Sequence, residues 1–331
     1  MKKRTSAWKE WLSTQAFMLL PLYHVEIASH PTRHIGSLMY NGFHIFHVGQ
    51  PMAMTTGSGS KRPLAKAQRV VVKLGTGLLT GGVDVLDVDI MAKLVAQIIA
   101  LHQRGIKVLI VSSGAVAAGR QALEGRADAT DNVTLRQALA AVGQSRLMQV
   151  YEGLFAASNV SVAQALLTRG DIDIDVHRQN TQNTLRELLR LGVVPIINEN
   201  DVVAVDELEG VVIGDNDTLS GVVARLVGAD LLVILGEVAG LFSADPNTHK
   251  NVRLIPVVYD LDAVEAEVSG PLSARARGGM VTKISAARQA TAAGTSVVIA
   301  NGREPEVLTR LLDGESLGTW FPPSNTKVKG L

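Results

Sequence analysis

The 331-residue chain contains no cysteine. This excludes disulfides, thiolate metal sites and cysteine nucleophiles, and it is compatible with a reducing cytoplasm. Aromatic residues make up only 4% of the chain. No run of about 20 apolar residues occurs, so no transmembrane helix is expected. The net charge is +1, which indicates neither a nucleic-acid partner nor a membrane surface.

Several sequence motifs are also missing. No G-x-x-x-x-G-K-[ST] string occurs, so the chain has no Walker A phosphate loop. The zinc motif H-E-x-x-H does not occur either. A G-x-G-x-x-G loop with an acidic partner is lacking, which argues against a nicotinamide cofactor.

The composition changes sharply near residue 51. Residues 1–50 hold five of the eight histidines and seven of the thirteen aromatic residues. A signal peptide fits poorly, because the apolar run after Lys2 and Lys3 is short and contains Pro21. A histidine metal site would need a more regular spacing. We therefore predict an N-terminal extension over 1–65, either disordered or upstream of the natural start. A single domain over 66–322 and a tail over 323–331 follow.

From residue 69 the pattern alternates between short apolar runs and helical stretches. Runs such as RVVVKL, KVLIVSS, VVPIIN and DLLVIL are typical of buried strands. Stretches such as VDIMAKLVAQIIALHQRG and NDTLSGVVARLVG have helical apolar spacing. This alternation predicts an α/β fold with a mainly parallel sheet covered on both faces. The segment 202–214 differs, since two β-rich runs flank an acidic turn, and it is predicted to be a hairpin.

Small, polar and charged residues follow most of the predicted strands. The ends are Lys73 with Gly75 and Thr76, then Ser113, then the strings NEND and GDND, and finally GE at 236–237. A further lysine, Lys283, is placed at the beginning of a helix. Because ligands bind at the carboxyl ends of parallel strands, this convergence favours a phosphate or nucleotide site. Glycine turns, lysines and an aspartate among asparagines suit phosphoryl transfer, in which positioning and charge neutralisation dominate.

Seven strings occur in an order that resembles the glutamate 5-kinases of the amino acid kinase family. They are VVVKLGTGLLT, VLIVSSGAVAAGR, AAVGQSRLMQVYE, LGVVPIINENDVVA, GDNDTLS, GLFSADP and GGMVTK. The resemblance runs from about residue 69 to 321 and implies a three-layer αβα sandwich. It also implies transfer of the ATP γ-phosphate to the side-chain carboxylate of L-glutamate, with Mg²⁺ arriving on ATP and no metal site of the protein's own.

The resemblance also implies roles for individual residues. Lys73 and Lys283 would contact the transferring phosphate from two sides, and Asp201 would orient both lysines. Backbone N–H groups of Gly75, Thr76 and the SSG string would bind phosphate oxygens. The other implied positions fall into two sets. The glutamate-binding set is Ser113, Asn183 and Asn200, and the nucleotide-binding set is Lys73, Gly75, Thr76, Gly236, Glu237, Arg277, Gly278, Gly279, Met280, Val281, Thr282 and Lys283.

Several positions depart from the family pattern. Gly236 and Glu237 replace the usual T-D pair, which bears on ATP affinity. Arg275 and Arg277 replace small residues in a segment that is usually a glycine-rich loop. Asn183 stands where some members carry aspartate. Many members also have a C-terminal RNA-modification-enzyme-like (PUA) domain, and this chain is either a form without that domain or a truncated reading.

The resemblance further implies a homo-oligomer inhibited by proline. Composition and charge favour a cytoplasmic protein with no nucleic-acid or membrane partner. Two alternatives remain open. Another kinase of the same fold, such as an acetylglutamate kinase or a nucleoside monophosphate kinase, is disfavoured by the combination of NEND and GDND. The altered nucleotide segments also allow a non-catalytic regulator that binds a nucleotide or an amino acid.

Overall fold

The computed structural model describes residues 62–83, 85–123, 132–203, 216–244, 252–268 and 274–324. The chain divides into two units, Met1–Gly57 and Ser58–Leu331, and every described residue belongs to the second. The predicted extension up to residue 61, most of the predicted hairpin and residues 325–331 of the predicted tail lie outside the described residues. None of the described helices is long and apolar enough to cross a lipid bilayer.

Seven strands form one sheet with the order β3-β4-β2-β1-β5-β6-β7. They are β1 Arg69–Leu74, β2 Lys107–Ser112, β3 Val162–Leu167, β4 Val194–Glu199, β5 Leu231–Gly236, β6 Ser296–Asn301 and β7 Thr319–Phe321. The neighbours among β1 to β6 pair in parallel, whereas β7 pairs antiparallel with β6. This confirms the predicted α/β class with a mainly parallel sheet. β1 lies at the centre of the sheet, which places its carboxyl end in the middle of the ligand-binding edge.

Ten α-helices are described. They are α1 Thr76–Thr80, α2 Val88–Gln103, α3 Ala115–Ala122, α4 Val133–Ala156, α5 Arg169–Asp173, α6 Asp175–Arg190, α7 Asn216–Val227, α8 Leu261–Val268, α9 Ala274–Ala292 and α10 Val307–Leu312. The helical patterns of α2 and α7 predict their bounds closely. α4, with 24 residues, was not predicted as a helix. Its apolar residues do not concentrate on one face, so periodicity gives only a weak signal.

Alternation along β1 assigns each side chain to one face of the sheet. Val70, Val72 and Leu74 pack into one hydrophobic core, and Val71 packs into the other. Because side chains alternate along a strand, Lys73 faces the same side as Val71. That second core contains residues of α7 and α9, so the strand pattern directs Lys73 towards these two helices.

A short 3₁₀ turn, Pro63–Lys66, precedes β1 and packs against the domain. Its Leu64 is buried, and the preceding Arg62 donates hydrogen bonds to the carbonyls of Leu317, Pro256 and Gly318. Burial lowers the pKa of the Arg62 guanidinium. The sequence predicted that residues 62–65 belong to the extension. In the structure, the predicted boundary between residues 65 and 66 falls inside this packed turn.

Two glycines allow α3 and α4 to cross at very short distance. A Cβ on Gly143 of α4 would lie 1.8 Å from the Ala115 carbonyl oxygen of α3. Reciprocally, a Cβ on Gly119 of α3 would lie 1.9 Å from the Leu139 carbonyl oxygen of α4. Both contacts are with backbone atoms, which cannot move aside without moving a helix. The close crossing places α4 directly beside the segment that follows β2.

We expect Gly143→Ala to lower the free energy of unfolding by about 3 kcal/mol, because the added methyl group forces the two helices apart. Gly153 lies in the same helix, and a Cβ added there would meet no described atom within 4 Å, so it supplies a matched control. Gly153→Ala should raise stability by up to about 1 kcal/mol through helix propensity alone. Urea unfolding of both variants measures the difference, and equal stabilities would show that the crossing is loose.

Candidate active site

Two lysines from different elements share one buried carboxylate at the carboxyl edge of the sheet. Lys73 Nζ of β1 lies 2.5 Å from Asp217 Oδ1, and Lys283 Nζ of α9 lies 2.8 Å from Asp217 Oδ2. Thr282 Oγ donates to the same Oδ2 at 2.9 Å. We call Lys73, Asp217 and Lys283 the lysine–aspartate bridge.

The bridge is almost entirely withdrawn from solvent. The side-chain exposures are 5% for Lys73, 1% for Asp217 and 14% for Lys283. Burial by itself would raise the pKa of the Asp217 carboxyl, but the charges of Lys73 and Lys283 and their hydrogen bonds outweigh it. The pKa of Asp217 therefore lies below its ordinary value, and the carboxylate is ionised at neutral pH. One anion and two cations leave a net positive charge, which is the sign that binds phosphate.

Close packing between α7 and α9 explains why the two helices bring these side chains together. A Cβ on Gly221 of α7 would lie 2.9 Å from the Ala286 carbonyl oxygen of α9. Asp217 lies one helical turn before Gly221, and Thr282 lies one turn before Ala286. The Gly221 contact therefore sets the spacing at which Asp217 meets Thr282 and Lys283.

The predicted role of Asp201 in orienting both lysines is wrong, because the carboxylate between them belongs to Asp217. Asp201 begins the turn 201–203 that follows β4. Both aspartates end similar acidic strings, NEND and GDND, and spacing in the sequence does not show which string returns to β1. Asp217 stands in the first turn of α7, whose packing on the face of Lys73 decides the matter.

Two of the predicted phosphate-binding N–H groups are already donated to neighbouring strand ends. Gly75 N–H donates to the Leu235 carbonyl of β5, and Ser113 N–H donates to the Leu74 carbonyl of β1. Gly75 still passes close to the bridge, since a Cβ there would lie 3.5 Å from Lys73 Nζ. Thr76 is the first residue of α1, where helical N–H groups lack an intrahelical acceptor.

A cluster of side-chain amides lies beside the bridge, next to Asp217 in the chain. Asn216 Nδ2 donates to Ser113 Oγ and to Asn198 Oδ1, each at 3.0 Å. Asn198 Nδ2 in turn donates to Gln144 Oε1 at 2.9 Å. We call Gln144, Asn198 and Asn216 the amide cluster. It joins the ends of β2 and β4 to α4 and α7.

One of the three predicted glutamate-binding residues, Ser113, contacts the amide cluster, because its hydroxyl oxygen accepts a hydrogen bond from Asn216. Asn200 follows β4 and donates its backbone N–H to Leu167, but within the described residues no side-chain hydrogen bond joins it to the cluster. Asn183 is exposed on α6 and, within the same residues, is not bonded to the cluster either. Asn198 and Asn216 were missed, although both stand in the strings NEND and GDND that the sequence singled out.

The predicted nucleotide-binding residues fall partly beside Lys283. A Cβ on Gly236 would lie 3.7 Å from Lys283 Cε, and the Gly279 carbonyl accepts a hydrogen bond from Lys283 Nζ at 2.9 Å. Glu237 is exposed, and its carboxylate lies against the first turn of α1, since a Cβ on Gly77 would meet Glu237 Oε2 at 2.5 Å.

The segment from Arg275 to Lys283 is helical, whereas the resemblance implied a glycine-rich loop. α9 begins at Ala274, so Lys283 lies well inside the helix and not at its beginning. Arg275 and Arg277 are better helix formers than the glycines and other small residues they replace, which favours this longer helix. Met280, Val281 and Thr282 lie in the same turn as Lys283, and Thr282 is the member that contacts the bridge.

The model of the amino acid kinase family matches residues 68–301 of this chain. The chain belongs to the amino acid kinase family. The match begins at β1 and ends with β6, and it includes every residue of the lysine–aspartate bridge and of the amide cluster.

Curated glutamate 5-kinases resemble the chain over most of its length. The glutamate 5-kinase of Herpetosiphon aurantiacus is 51% identical over 79% of this chain and 70% of its own length. That of Dehalococcoides mccartyi is 48% identical over 78% of this chain and 69% of its own length. The glutamate 5-kinase of Symbiobacterium thermophilum is 46% identical, and the alignment covers 97% of it.

A solved structure supports the fold. The UMP kinase of Bacillus anthracis superposes with a TM-score of 0.53 at 18% sequence identity, over 78% of this chain and 97% of its own. At this identity the likeness concerns the fold alone. The three-layer αβα sandwich expected from the resemblance is therefore confirmed.

Proposed function

We propose that this chain is a kinase that transfers the γ-phosphoryl group of ATP to the side-chain carboxylate of L-glutamate. The product is L-glutamyl 5-phosphate, the first intermediate on the route to proline. The lysine–aspartate bridge carries the proposal, together with curated glutamate 5-kinases that are 46–51% identical to the chain.

The chemistry explains why two lysines suffice without a general base. A side-chain carboxylate has an ordinary pKa of about 4.3, so the nucleophile is already ionised at neutral pH. The main obstacle is the approach of one anion to another. Each lysine ammonium has three N–H donors. Lys73 uses one on Asp217, and Lys283 uses one on Asp217 and one on the Gly279 carbonyl, which leaves donors on both for phosphate oxygens.

Asp217 and the two lysines then have distinct tasks in the transfer. The glutamate oxygen attacks the γ-phosphorus, the bond to the bridging oxygen breaks, and ADP leaves with the negative charge. Lys73 and Lys283 stabilise charge on the transferring group from two elements, and Asp217 holds both ammonium groups at fixed positions. Positioning before the reaction is the main source of rate enhancement in phosphoryl transfer.

Mg²⁺ is proposed as the counter-ion of the ATP phosphates and not as a resident metal. Among the described residues, no group of three or more His, Asp or Glu side chains could hold a metal ion. Mg²⁺ commonly binds through substrate phosphates and water with few protein ligands. It would neutralise phosphate charge when bound with ATP.

Three further features are proposed from the resemblance to glutamate 5-kinases: inhibition by proline, a homo-oligomeric state and a cytoplasmic location, where ATP and glutamate are available. Addition of proline to the kinase assay tests the first. Light scattering of the purified protein tests the second, and a mass equal to one chain would contradict it.

The function is tested by ATP consumption with L-glutamate, N-acetylglutamate, L-aspartate or UMP, with hydroxylamine present to trap acyl phosphates. We expect hydroxamate with L-glutamate alone. Hydroxamate with N-acetylglutamate, or ADP release with UMP, would instead assign the chain to another kinase of this fold. ATP or glutamate binding without turnover of any substrate would favour the non-catalytic regulator.

A further inference from the structure

Two polar side chains of the long helix α4 contact the ends of two different strands. Gln144 accepts a hydrogen bond from Asn198 in β4, and Tyr151 lies 2.8 Å from Ser112 Oγ in β2. The two residues are seven positions apart, which places them on the same face of the helix. Tyr151 is fully buried, and Gln144 is 9% exposed. Neither side chain is needed by the lysine–aspartate bridge.

The orientation of each amide in the cluster follows from one backbone group. The N–H of Glu199 donates to Asn198 Oδ1 at 2.9 Å, and a backbone N–H can only be a donor. Asn198 therefore presents its Nδ2 to Gln144, whose Oε1 must accept. The same Oδ1 accepts from Asn216 Nδ2. Flipping any of these amides would set two donors or two acceptors against each other.

This orientation leaves one donor and one acceptor without partners in the described part of the chain. Gln144 Nε2 and Asn216 Oδ1 are both buried there, and neither has a hydrogen-bond partner. Buried polar atoms are normally satisfied, and exceptions often mark positions where a ligand or water binds. The free group on Gln144 is a donor, and the free group on Asn216 is an acceptor.

An α-amino acid supplies the two complementary groups within one small unit. Its carboxylate accepts hydrogen bonds, and its ammonium donates them. Neutral amides can bind a zwitterion without adding a net charge beside the bridge, where the side-chain carboxylate must approach phosphate.

We propose that Gln144 is a substrate-binding residue whose Nε2 donates to the α-carboxylate of the amino-acid substrate. In this arrangement Asn216 Oδ1 accepts a hydrogen bond from the α-ammonium. Asn198 fixes the positions of the Gln144 and Asn216 amides through its hydrogen bonds to both. The inference rests on the proposed function for the identity of that substrate, L-glutamate. It adds to the site a residue from α4 for which the resemblance implied no role.

Two substitutions at Gln144 distinguish a role in binding the substrate from a role in holding the side chain of Asn198 in place. Gln144→Met removes both the donor and the acceptor. Gln144→Glu keeps the shape and an oxygen that can accept from Asn198, but replaces the donor with an anionic oxygen. If Gln144 contacts the α-carboxylate, Gln144→Glu should raise the KM for L-glutamate more than Gln144→Met does. If Gln144 only supports Asn198, Gln144→Glu should have the KM of wild type.

We expect Gln144→Met to raise the KM for L-glutamate about tenfold or more, as for a lost hydrogen bond to a charged group. Gln144→Glu should raise it further, while the KM for ATP stays within about twofold in both variants, since no ATP contact is lost. Gln149→Met is the matched control, because Gln149 is exposed on the same helix and accepts a hydrogen bond from Arg146. It should leave both constants unchanged.

Unchanged glutamate KM in Gln144→Met, or near-normal kinetics in Gln144→Glu, would overturn the proposal. If Gln144→Met does not fold, the isosteric Gln144→Glu decides. Wild-type hydroxamate formation tests the reaction separately from Gln144. If wild type shows no turnover, the Kd for L-glutamate by calorimetry replaces the KM in the comparison, and an equal Kd in wild type and Gln144→Glu overturns the inference.

Discussion

Replacing Lys283 with methionine is expected to lower kcat for L-glutamate by about 10²- to 10³-fold, the effect of removing one preorganised donor from a transition state. The KM for L-glutamate should change little, because the ammonium acts on the transferring phosphoryl group and not on the amino-acid end of the substrate. Steady-state hydroxamate kinetics with varied L-glutamate at saturating ATP measure both constants. Methionine keeps most of the side-chain volume, so the packing of α9 is preserved.

Lys107→Met is the matched control for this substitution. Lys107 is exposed at the beginning of β2, on the edge of the sheet opposite to the bridge. It should leave kcat and KM at their wild-type values. A tenfold rise in KM for Lys283→Met at unchanged kcat would contradict a transition-state role, since it would place the lysine in ground-state binding of glutamate.

Asp217→Asn should be the most damaging single substitution for both stability and activity. It leaves two ammonium groups, 5% and 14% exposed, without their shared anion. Breaking a buried ion pair from one side costs about 3–5 kcal/mol, so the free energy of unfolding should fall by about that amount at neutral pH. Activity should fall at least as far as in Lys283→Met, because both lysines lose their positions.

The effect of Asp217→Asn on stability should depend on pH. The pKa of Asp217 is lowered in the folded state, so its contribution is fully present above the unfolded value of about 3.9. The contribution is lost as the pH falls through the lower folded value. Urea unfolding of wild type and variant should therefore show a constant difference from pH 5 to 8 that shrinks in acid below about pH 4.

Asp230→Asn is the control, because Asp230 caps the start of β1 through two backbone N–H groups, at the other edge of the sheet. Its effect on kcat should be small. A difference between wild type and Asp217→Asn that grows in acid would contradict a lowered pKa. A loss of stability without loss of kcat would remove Asp217 from the catalytic arrangement.

The parallel strands and their order of appearance were readable from the sequence because their signals are local. The run RVVVKL is apolar enough to be buried on both faces, and β1 is found at Arg69–Leu74 as predicted. Strand alternation places Lys73 on the side of the sheet opposite to Val72. The bounds of α7 were equally accessible, because its apolar spacing is regular.

The partners of those residues were not readable from the sequence. Asp201 and Asp217 stand in similar acidic strings, and only the approach of α7 to α9 at Gly221 shows which carboxylate meets the lysines. The glycine pair in GGMVTK suggests a loop, but the packed helix α9 contains it, because tertiary contacts override local preference.

The helix α4 shows most clearly the difference between what the sequence predicts and what only the tertiary structure decides. Its sequence has no single apolar face, and Gln144 stands in it as an ordinary polar residue. The crossing at Gly119 and Gly143 brings α4 against the ends of β2 and β4, where Gln144 meets Asn198. The sequence by itself determined the parallel strands, their order along the chain and the presence of lysines at the ligand edge. Only the tertiary structure decided which side chains meet, because contacts between distant segments depend on helix packing and not on local pattern.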